Sequence, residues 1–518
     1  MGSAHENTAD PVKNTGEGDA FAKCGIAVAS VLPPLWLCET DFHFILKKGN
    51  WCAIIILKTK KEVLFMKKKT RSAPTTTQII MLSFLLVILI GSILLALPIS
   101  ARGGAAVPYI DALFTATTAT CVTGLVTLTT VSTWSAFGQV VILLLIQLGG
   151  LGIITVIAGF MVALNRKLGL RDSLLLSDAF NLNTLSGLSK FVKSVILGTL
   201  IIEGAGALLY MTVFIPEFGA RGIWISVFTA VSAFCNAGID IIAENSLCSY
   251  ATSVTVNGVT SALIILGGLG FIVWWDVLRV IKDFKAQRFK CFCRLTLHSK
   301  IVLASTAILI LGGALAIFAL EYKNPATIGE LSLFDKLQVS FFQSVTTRTA
   351  GFASIPQESL TTASAVVCML MMFIGASPVG TGGGIKTVTV VALLTTAYSA
   401  IRNKNEVSLF NRALSRQATR KAVAVTSMSF AIAFISTVLL AATSSFSLTD
   451  ILYETISATA TVGLTRGITP LLSLAGKLII TLTMYLGRIG PITLAFLFSS
   501  KNENTNNIKN PTEEISVG

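Results

Sequence analysis

Residues 114–124 read "FTATTATCVTG", a hydroxyl-rich stretch of small residues that ends on a glycine beside strongly apolar runs. One such stretch is an ordinary loop. Three more follow: "FTAVSAFCNAG" at 228–238, "FFQSVTTRTAG" at 341–351 and "YETISATATVG" at 453–463. The terminal glycines Gly124, Gly238, Gly351 and Gly463 are spaced 114, 113 and 112 residues apart. An aromatic residue (Phe114, Phe228, Phe341, Tyr453) stands ten positions before each. Asp111 and Asp450 lie three residues before their aromatics, as suits the N-terminus of a short helix, where the dipole favours an anion.

Composition sets the surroundings. The 518-residue chain is 53% hydrophobic and only 13% charged, with a mean hydropathy of +0.76. Soluble domains carry about 25% charged residues. Apolar runs long enough for a bilayer recur, so the chain reads as a polytopic helical membrane protein; a β-barrel would alternate over strands of about ten residues. The net charge of +14 lies in particular loops, 164–194, 279–300 and 401–421, and in Lys67, Lys68, Lys69 and Arg71. The positive-inside rule makes these cytoplasmic, together with both termini, in the plasma (inner) membrane. Nine cysteines form no CxxC pair, only Cys291 and Cys293 in a CxC, and there are three histidines. Most zinc-ligand spacings are thereby excluded, and the thiols are expected to stay reduced or to be buried as small hydrophobes.

Each hydroxyl-rich stretch lies between two apolar spans. They are about 79–97, 194–215, 301–320 and 422–442 before, and about 137–163, 260–281, 362–400 and 471–499 after. The stretch itself is too short to cross. The expected fold is therefore all-α and polytopic: four span–pore-helix–span repeats, about eight transmembrane helices, around one central ion pore. The boundaries are an N-terminal extension 1–65, repeats at 66–163, 164–281, 282–400 and 401–499, and a tail 500–518. Met66 reads as the natural start, a secretory signal peptide fitting the polar beginning less well.

A non-helical loop at membrane depth survives only where protein or water satisfies its backbone. Four such loops around an axis can turn their carbonyls inward and replace a cation's hydration shell, with the helix C-termini adding negative potential. The residues so placed are Thr120, Cys121, Val122, Thr123 and Gly124; Cys235, Asn236, Ala237 and Gly238; Arg348, Thr349, Ala350 and Gly351; and Thr461, Val462 and Gly463. Small-residue helix contacts would account for the composition but not for four registered copies.

The last span of the third repeat contains "GASPVGTGGGIKT", residues 375–387. Its glycines and Pro378 cannot continue a helix, so a gate below the third loop is expected from Gly375, Ser377, Pro378, Gly380, Gly382, Gly383, Gly384 and Lys386. A simple kink is the alternative. A phosphate-binding loop needs GxxxxGK[ST], and here Ile385 precedes Lys386. "YLGRIGP", 485–491, places Arg488 within a span, to face the pore or bind the glycine loop's carbonyls. Glu203 is also intramembrane, with a structural role favoured over cation binding, and Asp276 reads as interfacial. No paired acids, metal cluster or nucleophile–base pair suggests an enzyme.

The four repeats, their glycines, "GASPVGTGGGIKT" and "GRIGP" resemble the Trk/Ktr/HKT superfamily of potassium transporters, most closely its KtrB-like membrane subunits. The resemblance covers about 66–500. It implies potassium at Gly124, Gly238, Gly351 and Gly463, gating by the 375–386 loop with Arg488, and no cofactor in this chain. Na+ is implied as a possible coupling ion. A homodimer on a cytoplasmic KtrA-like ring binding ATP, ADP or NAD is implied as well, with the bilayer and no nucleic acid as partners. Plant relatives with Ser at the first glycine prefer sodium; Gly124 implies potassium. Two departures stand in the fourth segment, Ala460 and Arg466. A cation at the mouth is expected to repel potassium, so Arg466→Ser should raise flux. Alternatives are a sodium or poorly selective cation pathway, or a degenerate, non-conducting pore.

Overall fold

The computed structural model describes residues 75–164, 169, 174–176, 187–282, 294–404 and 406–490. The extension 1–65, the Lys67–Arg71 cluster, Cys291 and Cys293, the basic residues in 165–186 and 283–293, and the span end and tail from 491 lie outside the described residues.

The first repeat opens with α1 (Thr76–Ala96). Its start is a capping box: the Thr75 hydroxyl accepts from the Gln78 N–H at 3.3 Å, and the Gln78 side chain accepts from the Thr75 N–H at 3.0 Å. The short α2 (Tyr109–Cys121) follows, then α3 (Ala136–Leu151) and α4 (Ile153–Ala163). The second repeat repeats the order as α5 (Leu188–Phe218), α6 (Arg221–Phe234), α7 (Val254–Leu269) and α8 (Phe271–Lys282). The third has α9 (Leu297–Glu321), α10 (Leu333–Thr346), α11 (Thr362–Phe373) and α12 (Thr387–Ile401). The fourth has α13 (Arg416–Thr443), α14 (Leu448–Ala460) and α15 (Leu474–Ile489).

The leading helices α1, α5, α9 and α13 are each long and apolar enough to cross a membrane. Their large side chains stand exposed, Leu208 at 66% and Ile308 at 70% among them, as lipid-facing surface requires. Thr and Ser caps set the starts of α1, α9 and α13, whereas α5 starts after Gly187 without a side-chain cap. Thr296 accepts from the Ser299 N–H at 3.3 Å, and Ser415 from the Ala418 N–H at 3.1 Å. Asp111, Asp335 and Asp450 all occupy first turns of short helices.

The trailing spans differ from the sequence expectation. The runs 137–163 and 260–281 are not straight: α3 and α4 meet at 95°, α7 and α8 at 98°. The hinges are Gly152 at φ +83° and Gly270 at φ +90°, a conformation a helix cannot contain. In the third repeat the expected break is present, with residues 374–386 outside any helix. The loop between the third and fourth repeats also holds a small hairpin, Ser408–Leu409 paired antiparallel with Arg412–Ala413. Its turn residues Phe410 and Asn411 sit at φ +49° and +59°, the twist a two-residue hairpin demands.

Polar clasps close the repeats on one another. Trp224 donates to Gln139 Oε1 at 2.9 Å between the second and first repeats. The Leu247 N–H donates to Ala353 O at 2.9 Å between the second and third. Lys477 pairs with Asp111 at 2.5 Å between the fourth and first. Asp276 is buried within the protein: it accepts from the Thr296 N–H and hydroxyl at 2.8 and 2.9 Å, tying α8 to the start of α9.

Candidate ion pathway

The short helices α2, α6, α10 and α14 all end in one way. Two residues before each glycine the chain turns left-handed, at Val122 (φ +55°), Asn236 (+59°), Thr349 (+67°) and Thr461 (+51°). The glycines follow at φ +105°, +64°, +80° and +98°. Non-glycine residues in this region are strained, and four equivalent cases mark a built site rather than four accidents.

The glycines form a closed ring. A methyl group on Gly124 would lie 2.6 Å from Ala237 O; one on Gly238, 2.5 Å from Ala350 O; one on Gly351, 2.5 Å from Val462 O. One on Gly463 would strike Thr123 O, which returns the circuit to the first repeat. Each glycine thus faces the carbonyl preceding the next repeat's glycine, and no larger residue fits. Thr120, Cys121, Cys235, Ala237, Ala350 and Val462 are buried behind or within the ring. Arg348 is buried too, and its Nε and Nη2 have no hydrogen-bond partner among the described residues. A ring of carbonyls at four helix C-termini is the kind of arrangement that can hold a desolvated monovalent cation.

The 374–386 loop packs against the side from which the chains enter the ring. A methyl group on Gly382 would strike Thr349 Oγ1, and one on Gly383 would strike Thr461 Oγ1. The loop's backbone is satisfied by the second repeat. The Ser377 N–H donates to Gly268 O at 3.0 Å, the Thr381 N–H to Gly267 O at 3.2 Å, and the Thr381 hydroxyl to Phe234 O at 3.0 Å. That is how irregular backbone persists at membrane depth. Pro378 and Gly380 lie against the Gly267–Gly270 corner, and Gly375 and Gly384 against each other.

Two cations grip this loop by its carbonyls. Lys386 donates to Gly382 O at 2.6 Å and to Gly383 O at 3.4 Å. Arg488 donates to Thr381 O at 2.6 Å and, in the first repeat, to Gly149 O. Arg488 therefore binds the glycine loop, and it joins three repeats through one side chain. Glu203 meets neighbours in the protein: Gln147 donates to it at 3.2 Å, and the Cys235 thiol lies 3.8 Å from its other oxygen.

Arg466 is not a free charge at the mouth. Its Nε pairs with Asp450 at 2.7 Å, and its guanidinium also donates to the carbonyls of Gln357 (3.0 Å), Glu358 (3.0 Å) and Leu360 (3.4 Å). The sequence showed the charge without these partners. The charge is neutralised by an acid sixteen residues upstream and spent on the third repeat's backbone.

Sequence reading also missed a hydroxyl six residues before the glycine. The Gly124 N–H donates to the Thr118 hydroxyl at 2.9 Å, and the Gly463 N–H to Ser457 at 3.0 Å. In the second repeat the Ile239 N–H donates to Ser232 at 3.1 Å. The signal was present in the aligned segments, where Thr118, Ser232 and Ser457 share one position. In the third it is Val345.

The fold and the ring define a multi-pass helical membrane protein built of four repeats. The chain belongs to the TrkH family of cation transport proteins, whose model matches residues 46–510. That match begins upstream of Met66 and takes in 46–65, which sequence reading had set apart. The chain is 41% identical to Ktr system potassium uptake protein B of Bacillus subtilis, over 84% of this chain and 95% of the relative. It is 39% identical to potassium/sodium uptake protein NtpJ of Enterococcus hirae, over 84% and 96%, and 35% identical to the Ktr protein B of Vibrio alginolyticus, over 84% and 93%. The fold matches the potassium transporter TrkH of Vibrio parahaemolyticus with a TM-score of 0.65, over 83% of this chain and 86% of that one, at 17% identity.

Proposed function

We propose that this chain carries potassium across the plasma (inner) membrane, selected by the four-glycine ring and gated by the 375–386 loop. The observation that carries the reading is the closed circuit of glycines and carbonyls, Gly124 to Ala237 O through Gly463 to Thr123 O. Potassium sits at Gly124, Gly238, Gly351 and Gly463, and the membrane potential drives uptake with about 2.3 kcal/mol per charge per 100 mV. Lys386 and Arg488 hold the loop closed and must release Gly382, Gly383 or Thr381 for ions to pass. Relatives named as Ktr system proteins support a multicomponent system. The assembly we propose is a homodimer on a cytoplasmic KtrA-like ring that binds ATP, ADP or NAD. Both termini then face the cytoplasm.

The test is uptake in bacteria lacking their own potassium systems, with the full chain and a Ktr-type regulatory subunit. Gly351→Ser places a side chain against Val462 O at positive φ. Strain of about 1–3 kcal/mol there corresponds to roughly 5- to 150-fold weaker potassium uptake. Wild-type uptake insensitive to this change would sink the reading. The relative named for potassium and sodium makes sodium passage the second reading. Sodium uptake equal to potassium uptake in the wild type would favour it.

A further inference from the structure

The third quarter of the ring is built unlike the others. In the first, second and fourth, a pore-helix hydroxyl (Thr118, Ser232, Ser457) accepts an N–H of the segment that follows. The third has Val345 at that position, fully buried. Among the described residues, the Gly351 N–H makes no bond to a pore-helix hydroxyl. The third helix instead offers Thr346, which donates to Phe352 O at 2.7 Å, beyond the glycine.

What the third segment lacks locally it receives from the fourth repeat. Three residues after each glycine stand Thr127, Ile241, Ser354 and Arg466, so only the fourth repeat carries a cation there. The Arg466 fork reaches the carbonyls of Gln357, Glu358 and Leu360, and Asp450 fixes its other edge. The gripped turn is itself locked to the third pore helix. Gln357 and Gln343 exchange amide bonds at 2.6 and 3.1 Å, and the Tyr453 hydroxyl donates to Gln357 at 3.0 Å. Gly351 therefore lies between one anchor at Phe352 and another at the 357–360 turn.

We propose that Arg466 is a positioning residue for the third quarter of the ring, holding from the neighbouring repeat a segment that lacks the hydroxyl clamp of its counterparts. This rests on reading the ring as a potassium filter. The guanidinium suits the task because its planar fork spans several carbonyls at fixed angles, which an ammonium does not. The consequence has the opposite sign to the repulsion expected from sequence. Removing the charge frees Gly351 and its carbonyl neighbours instead of opening the mouth, so potassium loses its geometry and sodium gains.

The experiment uses the full chain in potassium-uptake-deficient bacteria, normalised to protein in the membrane. KM for potassium and the ratio of potassium to sodium uptake are measured for wild type, Arg466→Ser, Arg466→Lys, Val345→Thr and the double variant Arg466→Ser/Val345→Thr. Arg466→Ser is expected to raise KM roughly tenfold and to lower the ratio similarly, as loss of a charge-assisted network implies. Val345→Thr supplies the missing acceptor at nearly constant volume and is expected to restore most of that loss. A raised flux, or a changed maximal rate with KM and ratio untouched, overturns the inference. Should Arg466→Ser not reach the membrane, Arg466→Lys keeps the charge without the fork. A raised KM there supports the inference and an unchanged one overturns it. The parent reading fails separately, if the wild type takes up no potassium or Gly351→Ser behaves as wild type.

Discussion

Three quarters of the ring and the remaining one solve the same problem differently. At Gly124, Ile239 and Gly463, a pore helix holds its own segment through a hydroxyl. At Gly351 the clamp is absent, and the segment is secured at Phe352 and from the fourth repeat through Arg466. The glycine loop touches this quarter through Gly382 at Thr349, as it touches the fourth through Gly383 at Thr461. The third repeat's trailing span is also the one broken into α11 and α12 rather than bent at one glycine. Local clamps fix a segment whatever its neighbours do. A clamp lent by a neighbour ties selectivity to the fit between repeats.

The largest effect on this contrast should come from breaking a local clamp. Thr118→Val removes the acceptor of the Gly124 N–H and leaves a buried donor unpaired, at about 1–3 kcal/mol. Potassium KM should rise roughly 5- to 150-fold, measured by uptake kinetics, and Thr118→Ser should restore it. A smaller and opposite effect is expected at the gate. Arg488→Ala releases Thr381 O and Gly149 O, so uptake should gain several-fold in maximal rate, with selectivity kept. Equal loss of rate and selectivity would place Arg488 in the ring's support instead. The smallest effect is expected for Val345→Ala, which removes methyl packing but no hydrogen bond. It should lower stability by about 1.5–3 kcal/mol, two buried carbons plus the cavity they leave, and keep the potassium-to-sodium ratio unchanged. A ratio that falls as for Thr118→Val would erase the distinction between the quarters.

The sequence made some of this legible and hid the rest for physical reasons. Gly124, Gly238, Gly351 and Gly463 announced themselves because positive φ and close approach admit no other residue, so spacing alone aligned the repeats. The break at 375–386 was visible because five glycines and a proline exceed what any helix tolerates. Gly152 and Gly270 were passed over although each closes the same GGLG run, 149–152 and 267–270, because small-residue clusters also serve close packing between straight membrane helices. Arg466 displayed its charge but not its partners. Asp450 stands sixteen positions away, and the accepting carbonyls belong to residues 106 to 109 positions earlier. Backbone acceptors leave no mark in a sequence. The hydroxyls at 118, 232 and 457 were in plain view, but their meaning depends on a left-handed turn that brings the following N–H back over the helix end.

The most direct test of the central claim bypasses the gate and any regulatory partner. Purified full chain in detergent, with choline as the background cation, is titrated with potassium and then with sodium by isothermal calorimetry. The ring predicts saturable potassium binding at least roughly tenfold tighter than sodium, lost in Gly351→Ser, since one ring carbonyl displaced by about 1.4 kcal/mol suffices for that factor. Equal binding of the two ions, or potassium binding unchanged by Gly351→Ser, would contradict it.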